Sequence, residues 1–106
     1  MDAAEPQFIT VGSGNKVRRI ACLTQRAARE GDPGLLWLTG LKSDMVSTKA
    51  EALAAWTAAR GLGFTRFDYS GHGRSEGQFE EATLSDWLEE SAAVFAQLTH
   101  GPQVLV

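Results

Sequence analysis

Between Arg66 and Gly77 the chain reads Arg-Phe-Asp-Tyr-Ser-Gly-His-Gly-Arg-Ser-Glu-Gly, which places two carboxylates, two serine hydroxyls and an imidazole close together. These are the residue types of nucleophilic acyl transfer, in which a hydroxyl attacks, an imidazole takes its proton and a carboxylate orients the imidazole. Ser43, Ser70 and Ser75 are the available hydroxyls, with His72 and either Asp44 or Asp68 as partners. None of these combinations is expected to form a triad. His72 reads as an exposed loop residue, with a substrate-side contact as the alternative, and His100 as part of a distant turn. Asp68 is suited to a different task, accepting backbone N–H bonds within a turn. Gly71 and Gly73 would allow a backbone path that a side chain blocks.

Other chemistries fit less well. Gly71-x-Gly73 follows an apolar run, as phosphate-binding loops do, but Glu76 stands where a dinucleotide fingerprint needs its third glycine. No Gly-Lys-Ser/Thr occurs, which excludes a P-loop. Two histidines and the single Cys22 do not make a zinc shell. Asp68, Glu76, Glu80 and Glu81 read as a solvated acidic face rather than a calcium site. No metal and no cofactor is expected.

The elements that must position these residues follow from hydrophobic patterning. Gln7–Val11 and Lys16–Thr24 are β-prone runs around Gly12-Ser13-Gly14-Asn15, which predicts an antiparallel hairpin over 7–24 with a four-residue loop. Arg18 and Arg19 suggest a sheet margin. Leu35–Thr39 is apolar without alternation, the pattern of a strand covered on both faces. A helix is predicted from Ser47 or Thr48, with Ala50, Leu53, Ala54, Trp56 and Thr57 inward and Gly61 and Gly63 at its end. Phe64–Phe67 is the next strand. Thr83-Leu84-Ser85-Asp86 resembles a capping box. The helix it opens should bury Leu84, Trp87, Leu88, Ser91, Val94, Phe95 and Leu98, leaving Glu89 and Glu90 outside. Gln103–Val106 reads as a last strand. Residues 35–106 thus form a βαβαβ unit, the grammar of a parallel sheet. A final apolar strand with no turn after it is expected to belong to a longer domain.

Composition narrows the class further. The chain is 43% hydrophobic and 22% charged, with 10 basic against 13 acidic residues. That is a globular composition with no basic stripe for nucleic acid. No apolar run approaches the roughly 20 residues that span a bilayer. The opening Met1 to Pro6 lacks the charge and core of a signal peptide. A lone Cys22 within an apolar stretch reads as a buried thiol in a reducing compartment, a bacterial cytoplasm by default. Trp37, Trp56 and Trp87 read as core residues rather than stacking platforms.

Asp68, Gly71, Gly73 and Ser75 together resemble the Asp-x-x-Gly-x-Gly-x-Ser signature that follows the fourth strand of α/β-hydrolases. Gly40-Leu41-Lys42-Ser43-Asp44-Met45, Thr48-Lys49-Ala50 and Gly101–Val106 narrow the likeness to the branch of acyl-protein thioesterases that also cleave acyl glucuronides, with their bacterial relatives. The resemblance implies a three-layer α/β-hydrolase fold, of which residues 1–106 would be an incomplete amino-terminal portion ending before the nucleophile elbow. It implies a serine hydrolase acting on small-molecule or acyl-protein esters and thioesters, with the nucleophile, Asp and His of the triad outside the chain and the 106 residues inactive alone. Thr39-Gly40 would take the place of the family's His-Gly turn. Gly40 would shape the oxyanion loop, Leu41 N–H would be one oxyanion donor, and Met45 and His72 would be substrate-side candidates. A superfamily member with a binding role, or with non-hydrolytic chemistry such as a cofactor-free haloperoxidase-like reaction, is the alternative. A complete small binding module is another.

Overall fold

The computed structural model describes residues 5–106. The opening stretch set against a signal peptide lies partly outside the described residues, which begin at Glu5.

Five strands form one sheet. In chain order the elements are β1 (Gln7–Val11), β2 (Arg18–Gln25), β3 (Gly34–Trp37), α1 (Thr48–Ala59), β4 (Gly63–Phe67), α2 (Leu84–Leu98) and β5 (Gln103–Leu105). The spatial order is β1-β2-β4-β3-β5. β2 pairs antiparallel with β1 and β4, whereas β3 pairs parallel with β4 and β5. The hairpin is present, but its connection runs through a single 3-10 turn at Gly14–Lys16 and β2 starts at Arg18. The expected four-residue loop is therefore too short. Gly12, at φ 94°, turns the chain, and the Arg18 guanidinium folds back onto the Lys16 carbonyl at 2.9 Å.

Strand alternation puts the helices on opposite faces, giving three layers. On one face Phe64 and Arg66 of β4 meet α1, where Arg66 pairs with Glu51 and donates to the Met45 carbonyl. On the other face Ile9, Val11, Ile20, Cys22, Leu36 and Phe67 pack with Val94 of α2 as the main core. The cross-strand pairs Ile9–Ile20 and Cys22–Phe67 lie within this core, which fixes the register. Both helix starts are capped. Ser47 Oγ accepts the Ala50 N–H, and Thr83 with Asp86 forms a reciprocal capping box.

Several packing expectations are overturned. Arg18 is not at a sheet margin, because β2 is an interior strand and Arg18 is buried against α2. Glu90, expected outside, is 0% exposed, whereas Leu84 and Leu88, expected inside, are 79% and 70% exposed. The reason is that α2 carries apolar residues in two directions. The line through Trp87, Glu90, Val94 and Leu98 meets the sheet, while Leu84, Leu88 and Phe95 face an open cleft. Trp56 also lies outside the core, its ring stacked under the Arg60 guanidinium at 4.2 Å.

Candidate functional site

Parallel β3 and β4 release their following loops at the same sheet edge, where ligand sites of open α/β sheets form. The loop after β3 runs through Leu38, Thr39 and Gly40. Thr39 Oγ1 donates to the Phe67 carbonyl at 2.9 Å, which ties the two loops at their roots. Gly40 to Ser43 then closes a turn, with Ser43 N–H on the Gly40 carbonyl at 3.0 Å. Lys42, in that turn, has φ 61° and is the only non-glycine residue at positive φ among the described residues. Its N–H donates to His72 Nε2 at 2.9 Å. Leu41 is exposed, and its N–H meets no acceptor among the described residues.

Asp68 joins both loops. Its Oδ1 accepts the Met45 N–H at 2.8 Å and its Oδ2 the Arg74 N–H at 2.9 Å, while its own carbonyl accepts Ser75 Oγ–H at 2.6 Å. Ser75 Oγ in turn accepts the Ala21 N–H at 2.8 Å, which anchors the glycine loop on β2. Burial raises the Asp68 carboxyl above the usual carboxylate range; the two N–H bonds and nearby His72 oppose that rise, and Asp44 adds to it. Gly71 and Gly73 have φ 76° and 46°. A Cβ at Gly71 would lie 2.6 Å from the Phe79 nitrogen, and one at Gly73 would collide with the Asp68 carboxylate. Met45 is buried beneath this junction and does not line the cleft.

His72 is not exposed. It is 6% accessible and sits among Tyr69, Phe79 and Trp87, with ring centroids 5.3–5.9 Å away. Its Nδ1 lies 3.1 Å from the Ser70 carbonyl, so backbone groups occupy both ring nitrogens. That leaves no base for Ser43, Ser70 or Ser75. Gly73-Arg74-Ser75-Glu76-Gly77 does satisfy the Gly-x-Ser-x-Gly spacing, a match that sequence reasoning passed over. Ser75 is nevertheless no nucleophile elbow: its hydroxyl is held by Asp68 and Ala21, and its φ is not positive. Among the described residues no three His, Cys, Asp or Glu side chains converge on a metal position.

Beside the Leu41 turn opens an apolar cleft of about 1030 Å³ between α2 and the β3–β5 edge. Leu38, Leu41, Leu84, Trp87, Leu88 and Phe95 contribute to its lining. Sequence reasoning missed it, because those leucines fit a core pattern equally well.

No protein-family model matches the chain. It is 37% identical over 84 residues, 79% of its length, to the human mitochondrial palmitoyl-protein thioesterase ABHD10, and 36% identical over the same length to the Bos taurus protein. Among solved structures, a protein of Agrobacterium vitis S4 assigned as a hydrolase superposes over 95% of the chain with TM-score 0.92 and 44% identity. Mouse α/β-hydrolase domain-containing protein 10 superposes over 96% with TM-score 0.81 and 28% identity. With the strand order and the loop that Asp68 organises, these likenesses define the class: the chain belongs to the α/β-hydrolase superfamily. Within it, the chain is related to the ABHD10 thioesterase branch and to bacterial hydrolases. It spans 28% of the length of these curated relatives and 39% of the Agrobacterium protein.

Proposed function

We propose that residues 1–106 are the amino-terminal portion of a serine hydrolase domain that cleaves carboxylic esters or thioesters. One observation carries this reading: among the described residues the Leu41 N–H meets no acceptor, in a loop tied down at Thr39, Lys42 and Met45. A fixed donor of this kind stabilises the oxyanion of a tetrahedral intermediate, and removing one typically costs about 3–4 kcal/mol in the transition state. Gly40 shapes the turn. Asp68, Gly71, Gly73 and Ser75 hold the neighbouring loop.

In this mechanism the nucleophilic serine, its histidine and its acid come from outside residues 1–106. The serine attacks the acyl carbon, the histidine takes its proton, and the oxyanion rests on Leu41 N–H and a second N–H beside the nucleophile. Water then releases the acid. Substrate is a small-molecule or acyl-protein ester or thioester. The palmitoyl-protein activity belongs to the named relatives, and its transfer to this chain is part of the proposal. We place the enzyme in a reducing bacterial cytoplasm, a reading supported by the free, buried Cys22; the curated relatives are mitochondrial. Among the described residues no helix is long and apolar enough to cross a membrane.

The test uses the complete gene product with p-nitrophenyl esters and S-acyl thioesters of graded chain length. Saturable turnover is expected, abolished by a fluorophosphonate that labels a serine outside residues 1–106. Residues 1–106 alone should give background hydrolysis only. Absence of turnover in the complete product, or labelling of Ser75, overturns the reading.

A further inference from the structure

The turn that carries Leu41 is held in a conformation its own residues do not favour. A turn whose third residue has positive φ usually places glycine or asparagine there, yet this one has Lys42 at φ 61°. For a residue with a Cβ, the left-handed region is disfavoured by crowding of the Cβ against the following carbonyl oxygen. The alternative turn flips the central peptide, the one linking Leu41 to Lys42, and returns Lys42 to negative φ. The N–H of that central peptide is the group His72 holds, at 2.9 Å from Nε2.

The imidazole is fixed in turn. The Ser70 carbonyl, 3.1 Å from Nδ1, can only accept, so Nδ1 carries the proton and Nε2 presents a bare lone pair. The same carbonyl takes Trp87 Nε1–H at 3.1 Å, and the Ser70 N–H is held by buried Glu90 at 2.7 Å. Tyr69 and Phe79 pack edge-on against the ring. A chain of buried contacts thus runs from Glu90 through Ser70 and His72 to the Leu41–Lys42 peptide.

We propose that His72 is a positioning residue for the oxyanion turn: an imidazole protonated at Nδ1 whose Nε2 holds the Lys42 N–H and so anchors the turn from which the Leu41 N–H projects. It acts through the turn and touches no reacting atom. The proposal rests on the hydrolase reading for its catalytic consequence, but not for its geometry.

Three measurements test it. The 15N imidazole spectrum of the full chain should show Nδ1 protonated and Nε2 bare; the opposite tautomer overturns the proposal. In His72→Phe, which keeps an aromatic ring among Tyr69, Phe79 and Trp87 but has no acceptor, Lys42 amide exchange should quicken by about 3–10-fold. The Met45 and Arg74 amides, held by Asp68, should keep their protection, which separates local release from unfolding. His72→Gln places an amide oxygen near the Nε2 position and should restore most of the Lys42 protection. Lys42→Gly combined with His72→Phe removes the left-handed penalty and keeps the test open should His72→Phe fold poorly. In the complete gene product, His72→Phe should lower kcat about 10–100-fold with KM within about twofold, and His72→Gln should recover most of it. Unchanged Lys42 exchange in His72→Phe, or unchanged kcat with a released Lys42 amide, overturns the proposal. A gene product without any ester or thioester turnover overturns the hydrolase reading instead, and the ring spectrum and the Lys42 amide then still decide whether His72 positions the turn.

Discussion

Arg18 and Glu90 form a buried ion pair, Nε to Oε2 2.9 Å, across 72 residues of sequence. The pair ties the hairpin to α2. It also reaches the candidate site, because the other Glu90 oxygen accepts the Ser70 N–H at 2.7 Å. Arg18 makes further bonds to Glu89 and to the Asp86 carbonyl, at 2.8 and 3.1 Å. Burial alone would lower the Arg18 pKa, but Glu90 and Glu89 outweigh it and raise it. Breaking one side of such a pair leaves the partner charge buried and uncompensated.

Glu90→Ala should therefore destabilise the fold by about 3–5 kcal/mol. Arg18→Met in the same chain should recover part of the loss, because it removes the stranded charge but leaves the Ser70 N–H unpaired. Urea unfolding of both variants at constant m-value measures this. A Glu90→Ala loss below about 1 kcal/mol would contradict the pairing.

Asp68 predicts a pH dependence whose sign follows from its raised carboxyl pKa. Burial favours the protonated form in the folded state, so the contribution of this group is greatest below its unfolded pKa. It is lost as pH rises through the higher folded value. Asp68→Asn carries no such titration. The stability difference between wild type and Asp68→Asn should thus be larger in acid and shrink as pH approaches neutrality, as measured by urea unfolding at several pH values. A difference that grows with pH would mean that the Met45 and Arg74 N–H bonds outweigh burial.

Gly71 and Gly14 both have positive φ, at 76° and 59°, but only Gly71 is crowded. Gly14→Ala meets open space and should cost only the left-handed penalty, about 1–2 kcal/mol. Gly71→Ala adds a backbone clash with Phe79 and should cost clearly more. Thermal unfolding of the two variants side by side checks the order; equal shifts would refute the close approach.

Cys22 is fully buried, and burial, aided by Asp68, pushes its thiol pKa up to about 12. It should resist a disulfide-exchange reagent at pH 8 in the native protein and react once urea unfolds the chain. Stoichiometric labelling of the native state within seconds would show that the thiol is accessible.

The local elements were legible in the sequence because their signals are local. Thr83-Leu84-Ser85-Asp86 marks the start of α2, Ser47 caps α1, and the unbroken apolar run from Leu35 foretells an interior strand. The motif from Asp68 to Ser75 pointed to the superfamily, and the likeness to the ABHD10 thioesterases supports that assignment. The direction each helix face takes was not legible. A 3.6-residue period identifies an apolar stripe but not which of two adjacent stripes meets the sheet. The sequence pattern therefore puts Leu84 and Leu88 inside and Glu90 outside, the reverse of the packing of α2.

His72 shows the same division at the site. Its flanking glycines marked a loop, and loops are usually at the surface. Burial came from partners far away in sequence: the Lys42 peptide from the β3 loop and Trp87 from α2. By itself the sequence determined the strands, the helix caps, the glycine loop and the family likeness, all of which depend on neighbours a few residues apart. Only the tertiary structure decided that Glu90 is a buried counterion, that Ser75 is tied down, and that His72 holds the Leu41–Lys42 peptide. Each of these depends on a hydrogen-bond partner that chain folding brings within reach and no local pattern records.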